Sequence, residues 1–133
     1  MPTTKETGRL GEQLAKKYLE SNGYEILDQN YIFKIPGQGL AGEIDIIAKK
    51  NGVVSFVEVK TLYIGDAIFR RSAIRPEDKV NTAKQRKLIK SAESWLAGKK
   101  IGLESSWQID IIAIEICPGH NKINHFQNAV AGC

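Results

Sequence analysis

The sequence predicts an α/β fold, a mixed sheet covered by helices, and three observations carry that expectation. Apolar residues recur at helical spacing in two separate stretches, runs rich in Ile and Val lie between and after them, and one Asn-Gly pair joins two of those runs. The expected order is helix, strand, strand, strand, helix, strand.

Thr3 and Glu6 have the spacing of a capping box, and Leu10, Leu14, Ala15, Tyr18 and Leu19 follow with the period of an amphipathic helix that Asn22-Gly23 ends. Residues 24–31 read as a strand entering the loop Ile35-Pro36-Gly37-Gln38-Gly39. Glu43 to Ala48 and Val53 to Lys60 flank Asn51-Gly52, the strongest short-range signal for a two-residue hairpin. Tyr63 to Arg75 reads as a loop, and Pro76 opens a second helix that Val80, Ala83, Leu88, Ile89, Ala92, Trp95 and Leu96 continue to Gly98. Trp107 to Ile116 is a β-branched run with Asp110 and Glu115 in it and reads as a buried strand. The expectation is one domain over residues 1–117, followed by a tail, 118–133, without pattern.

A chain of 133 residues is long enough for one hydrophobic core and too short for two. No apolar run approaches the roughly 18 residues that span a bilayer, and the first residues lack a secretory core, so a cytoplasmic protein without membrane contact is expected. Cys117 and Cys133 are too few and too close to one end for a disulfide framework. The net charge of +4 is modest, but basic residues crowd between Arg70 and Lys100. Arg70, Arg71, Arg75, Lys84 and Lys87 are the candidates for contacts to nucleic-acid phosphates; a solvated helix surface is the other reading.

Strand alternation places Glu43, Asp45 and Ile47 on one face, and Val54, Phe56, Glu58 and Lys60 on one face of the next strand. With Asn51 and Gly52 as the turn, Lys50 faces Val53, Asp45 faces Glu58, and Glu43 faces Lys60. Opposed carboxylates about 5 Å apart repel, and a cation compensates them. Carboxylate oxygens with water suit Mg²⁺ or Mn²⁺, and Lys60 then stands ready to orient water or to stabilise charge on a phosphate. Such a set is equipped to hydrolyse a phosphodiester; a plain Glu43 to Lys60 ion pair on a surface hairpin is the bland alternative.

Gly42-Glu43-Ile44-Asp45-Ile46-Ile47-Ala48 followed by Phe56-Val57-Glu58-Val59-Lys60 resembles the PD-(D/E)xK signature of restriction-endonuclease-like proteins. From about Gly8 to Ile116 the chain resembles the bacterial YraN-type family, itself similar to archaeal Holliday junction resolvases. The resemblance implies a three-layer α/β/α core, Asp45 and Glu58 as ligands of a divalent metal, and Lys60 as the catalytic lysine. It also implies that Glu12, which follows Gly11, joins the site from the first helix. Ile44 stands where the signature has proline, and Thr61-Leu62-Tyr63 offers no basic residue beyond the lysine, which shifts phosphate contact towards Arg70, Arg71 and Arg75.

Gln85 shares a helical face with Leu88, Ile89, Ala92 and Leu96, so it is either a site residue or a buried hydrogen-bonding side chain. Asp110 has no evident partner in the sequence, and His120, His125, Cys117 and Cys133 lack the spacing of a zinc site. Trp95 and Trp107 fall in apolar runs and read as core. The expected activity is metal-dependent cleavage of DNA, including branched or damaged DNA; a non-catalytic nucleic-acid-binding module is the alternative. A junction-cutting enzyme needs two sites, which a homodimer would supply.

Overall fold

Thr3 starts the first helix as its spacing from Glu6 predicts: the Glu6 N–H donates to Thr3 Oγ1 at 3.1 Å, and the Thr3 N–H donates to Glu6 Oε1 at 3.4 Å. In a computed structural model that describes residues 3–63, 82–100 and 105–130, this cap opens α1 (Thr4–Ser21). There follow β1 (Glu25–Ile35), β2 (Gly39–Lys50), β3 (Val53–Tyr63), α2 (Thr82–Gly98), β4 (Trp107–Cys117) and β5 (His120–Phe126). The first six elements keep the expected order, and β5 extends it. Among the described residues no helix is long and apolar enough to cross a membrane.

The strands form one mixed sheet in the order β1-β2-β3-β4-β5. Antiparallel pairing joins β1 to β2, β2 to β3 and β4 to β5, whereas β3 and β4 run parallel with α2 between them in the chain. Asn51 (φ 51°) and Gly52 (φ 78°) both take the left-handed conformation that a two-residue hairpin turn requires, and Lys50 faces Val53 as expected.

One helix lies against each face of the sheet. Leu88, Ala92, Trp95 and Leu96 of α2 pack with Ile44, Ile47, Phe56, Ile109 and Ile111, while Ala15 and Leu19 of α1 pack with Ile46, Ala48, Val57, Ile112 and Ile114. Strand β4 is buried on both faces, which explains why isoleucines occupy both sides of it, at 109, 111, 112, 114 and 116. Trp95 and Trp107 belong to the core as expected, each meeting the Phe56 ring edge-on at 5.7 Å.

Two expectations need correction. The tail read as patternless contains β5, paired with β4 from Ile111↔Phe126 to Cys117↔His120, and beyond it Val130 is buried in the α2-side core. An edge strand with mostly polar residues, His120-Asn121-Lys122-Ile123-Asn124-His125-Phe126, carries little apolar alternation. Strict alternation along β2 also fails. Ile44 and Ile47 share the α2-side core although three residues apart, and Ile46 faces α1. On β1 the same happens: the Trp95 Nε1–H donates to Asp28 at 3.1 Å and Tyr31 bonds Ser94 at 2.7 Å, so both reach α2. Between the pairs Gln29↔Ile46 and Tyr31↔Ile44 lie Asn30, with φ 51°, and Asp45. Both strands change face there. Glu43, Asp45 and Ile47 therefore do not share one face.

Candidate functional site

The change of face aims Asp45 along the sheet rather than above or below it. Paired residues of β2 and β3 run from Lys50↔Val53 to Ile46↔Val57 and go no further. Just beyond, Asp45 Oδ2 accepts a 2.8 Å hydrogen bond from the Val59 N–H, so a side chain replaces the next backbone rung. The expected opposition of Glu43 to Lys60 is not part of the ladder.

Glu58 sits beside this fork. It follows Phe56 on the α2 face and, at 7% exposure, is one of the few buried acids. Its Oε1 lies 2.6 Å from Lys84 Nζ, an ion pair between the sheet and the start of α2. Sequence reasoning assigned Lys84 to phosphate contact and did not foresee this pairing. Its position four residues before buried Leu88 is the signal that places it on the inward flank of the helix.

Asp45 and Glu58 both line two cavities, which makes them the wall the two share. The first, about 420 Å³, is completed by Leu40 to Glu43 of β2 and by Ala83, Lys84, Lys87 and Leu88 of α2. Its closeness to α2 depends on Gly42, where a Cβ would stand 3.1 Å from the Lys87 carbonyl and would overlap Ser91 Oγ. The second, about 500 Å³, lies on the α1 side and includes Thr7, Gly8, Glu12, Thr61 and Tyr63. Gly11 lets α1 approach: a Cβ there would lie 2.8 Å from Thr61 Cβ, so glycine is needed to bring Glu12 to the cavity.

Charge is poorly balanced at the shared wall. Burial first, then the neighbouring Glu58, and more weakly Glu12 and Glu43, push the Asp45 carboxyl up to about 8; the Val59 N–H opposes them. Two carboxylates facing open cavities are a donor set suited to Mg²⁺ or Mn²⁺, which keep most of their waters. Among the described residues no three His, Cys, Asp or Glu side chains form a ready-made cage. A cation held here would have to take its remaining ligands from water or from a bound molecule.

Asp45, Glu58, Glu12, Lys84 and Lys87 are thus brought together. Lys60 is half-buried on β3, level with Ala113 of β4, and Gln85 is half-buried on α2; neither lines the two cavities. Arg70, Arg71 and Arg75 lie outside the described residues.

The model of a family described as Uncharacterised protein family UPF0102 matches residues 11–114. The chain belongs to the UPF0102 family. Its UPF0102 relative in Alkaliphilus oremlandii is 39% identical over 127 residues, covering 94% of this chain and 97% of that protein. A relative from Clostridium beijerinckii is 36% identical, covering 94% and 93%, and one from Vibrio parahaemolyticus is 37% identical, covering 96% and 93%. The matched region runs from α1 to β4, so it contains every element that lines the two cavities except the first turns of α1.

A second polar cluster lies between β4, β5 and α1, away from the cavities. Asp110, fully buried, accepts from Gln108 Nε2 and from the Asn128 N–H, each at 2.9 Å, and lies 2.8 Å from His125 Nε2. His125 Nδ1 in turn meets the Tyr18 hydroxyl at 3.0 Å, and burial, then Asp110, push that phenol upward. Asp110 lacked a partner in the sequence because, Gln108 of the same strand apart, its partners come from β5 and from beyond it. With His125 committed to Asp110 and Tyr18, it is a structural tie rather than a metal ligand.

Proposed function

We propose that the protein is a divalent-metal-dependent endonuclease of the restriction-endonuclease-like PD-(D/E)xK class that hydrolyses phosphodiester bonds of DNA in the cytoplasm. One observation carries the reading. Asp45 and Glu58 form an acid wall between two open cavities, and one of those cavities is lined by Lys84 and Lys87. A surface built only for packing gains nothing from two semi-buried acids that repel each other, whereas phosphodiester cleavage needs negative groups beside positive ones.

Hydrolysis joins a water oxygen to phosphorus, breaks the bond from phosphorus to one bridging oxygen, and delivers a proton to that leaving oxygen. A cation held by Asp45 and Glu58, with Glu12 at its margin, would supply Lewis acidity at the phosphate. The Val59 N–H fixes one Asp45 oxygen, leaving the other to face the cavities. Lys87 offers a positive charge for a non-bridging phosphate oxygen, and Lys60, two residues beyond Glu58, is the lysine of the signature and the candidate to steady developing charge. A homodimer would present two such sites to a branched substrate.

The test is cleavage of linear, single-stranded, flapped and four-way-junction DNA, with Mg²⁺ or Mn²⁺ against EDTA, for wild type, Asp45→Asn and Lys60→Ala. Metal-dependent cutting lost in both variants is the expected result. A non-catalytic nucleic-acid-binding module of the same fold is the second reading, favoured by the Lys84 to Glu58 ion pair, which neutralises one acid from within the chain. Salt-sensitive DNA binding without cutting under every metal condition would replace the first reading with the second.

A further inference from the structure

We propose that Lys84 is the built-in counter-cation of the acid wall, displaced from Glu58 when a divalent cation binds and then available, with Lys87, to a phosphate of the bound strand. The inference rests on the nuclease reading and assigns to Lys84 a positioning role that the signature does not contain.

The two ends of the ion pair are held differently. Glu58 is fixed: its side chain is 10% exposed and rooted in β3, where it pairs with Ile111 of β4. Lys84 is hinged: its side chain is 50% exposed, on a flexible four-carbon stem in the first turn of α2. When another cation competes for Glu58 Oε1, the lysine is the partner able to leave. Water takes over the charge of the half-exposed ammonium, and the incoming cation takes over its role beside buried Glu58, so no buried charge is left uncompensated when the lysine leaves. Where it goes is set by the wall of the first cavity, which Lys84 shares with Lys87 one turn along the same helix. The ammonium therefore moves from an internal carboxylate to the position where a phosphate must lie if the bond to be cut is to reach Asp45 and Glu58. Before metal arrives the same lysine partly neutralises the wall and leaves less positive charge for phosphate.

The experiment uses the full chain and two readouts other than turnover. Mn²⁺ binding is followed by titration calorimetry for wild type, Lys84→Met, Lys84→Arg and Lys87→Met. DNA binding is measured by fluorescence anisotropy with a labelled duplex, once in EDTA and once in Ca²⁺. Lys84→Met is expected to bind Mn²⁺ about fivefold more tightly than wild type, because the cation no longer competes with an internal ammonium for Glu58. Lys84→Arg, with a guanidinium that grips a carboxylate by two bonds, is expected to bind it more weakly. Lys84→Met loses DNA affinity in both conditions, and the loss is larger in Ca²⁺, where the wild-type ammonium has left Glu58, than in EDTA, where Glu58 still holds it. Equal Mn²⁺ affinity in wild type and Lys84→Met overturns the exchange and leaves the nuclease reading intact. So does an equal tightening in Lys87→Met, which would reduce the effect to loss of nearby charge. Absence of Mn²⁺ binding in every variant overturns the metal-dependent reading and the exchange together.

Discussion

Asp45 accepts a hydrogen bond from the Val59 N–H at 2.8 Å, and it does so where β2 and β3 cease to pair. A carboxylate thereby takes the place of a backbone carbonyl in the sheet, and its charge is carried into the fork between two layers of helix. The consequence is a carboxyl pushed up to about 8 by burial and by Glu58.

That shift sets the sign of a pH dependence. Between the ordinary value of 3.8 and about 8, the folded chain keeps a proton that the unfolded chain has lost. The unfolded state thus binds fewer protons, and stability falls as pH rises through this window. Asp45→Asn removes the titration while keeping an oxygen for Val59. It is expected to stabilise the protein at pH 9 by on the order of 2–4 kcal/mol and to change little near pH 4. Urea denaturation at the two pH values measures this; the same difference at both would refute the assignment. Saturating Mg²⁺ is expected to raise wild-type stability most at the alkaline end, where the cation meets no competing proton.

Asn30 is the second half of the device that aims Asp45. Its φ of 51° suits Asn or Gly and opposes β-branched residues. Asn30→Val is expected to cost about 1–2 kcal/mol and to weaken Mn²⁺ binding by misplacing Asp45, whereas Asn30→Gly retains binding. Calorimetry on the two variants decides it: equal Mn²⁺ affinity in both would show that the change of face does not depend on this residue.

How much of this could be read beforehand follows from which interactions are local. The capping box at Thr3 and Glu6 and the register set by Asn51-Gly52 depend on residues a few positions apart, and both were legible. Register counted from the turn put Asp45 beside Glu58, and the two line the same cavities, although the ladder stops one pair short of them. It could not show that Asp45 leaves the alternating pattern, because the irregularity involves Asn30 on another strand as well. Lys84 against Glu58 and Asp110 against His125 join residues far apart in sequence, and pattern alone carries no information on such pairs. The strand β5 was hidden for another reason, since an edge strand need not be apolar.

Asp110 tests whether the second polar cluster is structural. Fully buried, it receives bonds from the chain on either side of β5, and its loss would leave the His125 imidazole and the Asn128 N–H without their acceptor. Asp110→Ala is expected to destabilise by about 3 kcal/mol, and His125→Ala by less. In the double variant the two costs should add to less than their sum, because they belong to one network. Cleavage by any variant that remains folded should persist. Loss of turnover in a folded Asp110→Ala protein would instead bind this cluster to the site.

Lys87 separates phosphate contact from chemistry. It lines the α2-side cavity without being the partner of Glu58 in the 2.6 Å ion pair, and its exposed side chain is within reach of a phosphate that enters. Each phosphate neutralised by a lysine releases condensed counterions, and log K then falls with log salt by about 0.9 for each contact. Lys87→Ala is therefore expected to weaken binding to duplexes of any sequence and to reduce the slope by about one. Anisotropy titrations across several salt concentrations measure both quantities. A weaker affinity with an unchanged slope would mean that the substitution disturbs the cavity wall rather than a phosphate contact, and the path of the strand would have to be drawn along the α1-side cavity instead.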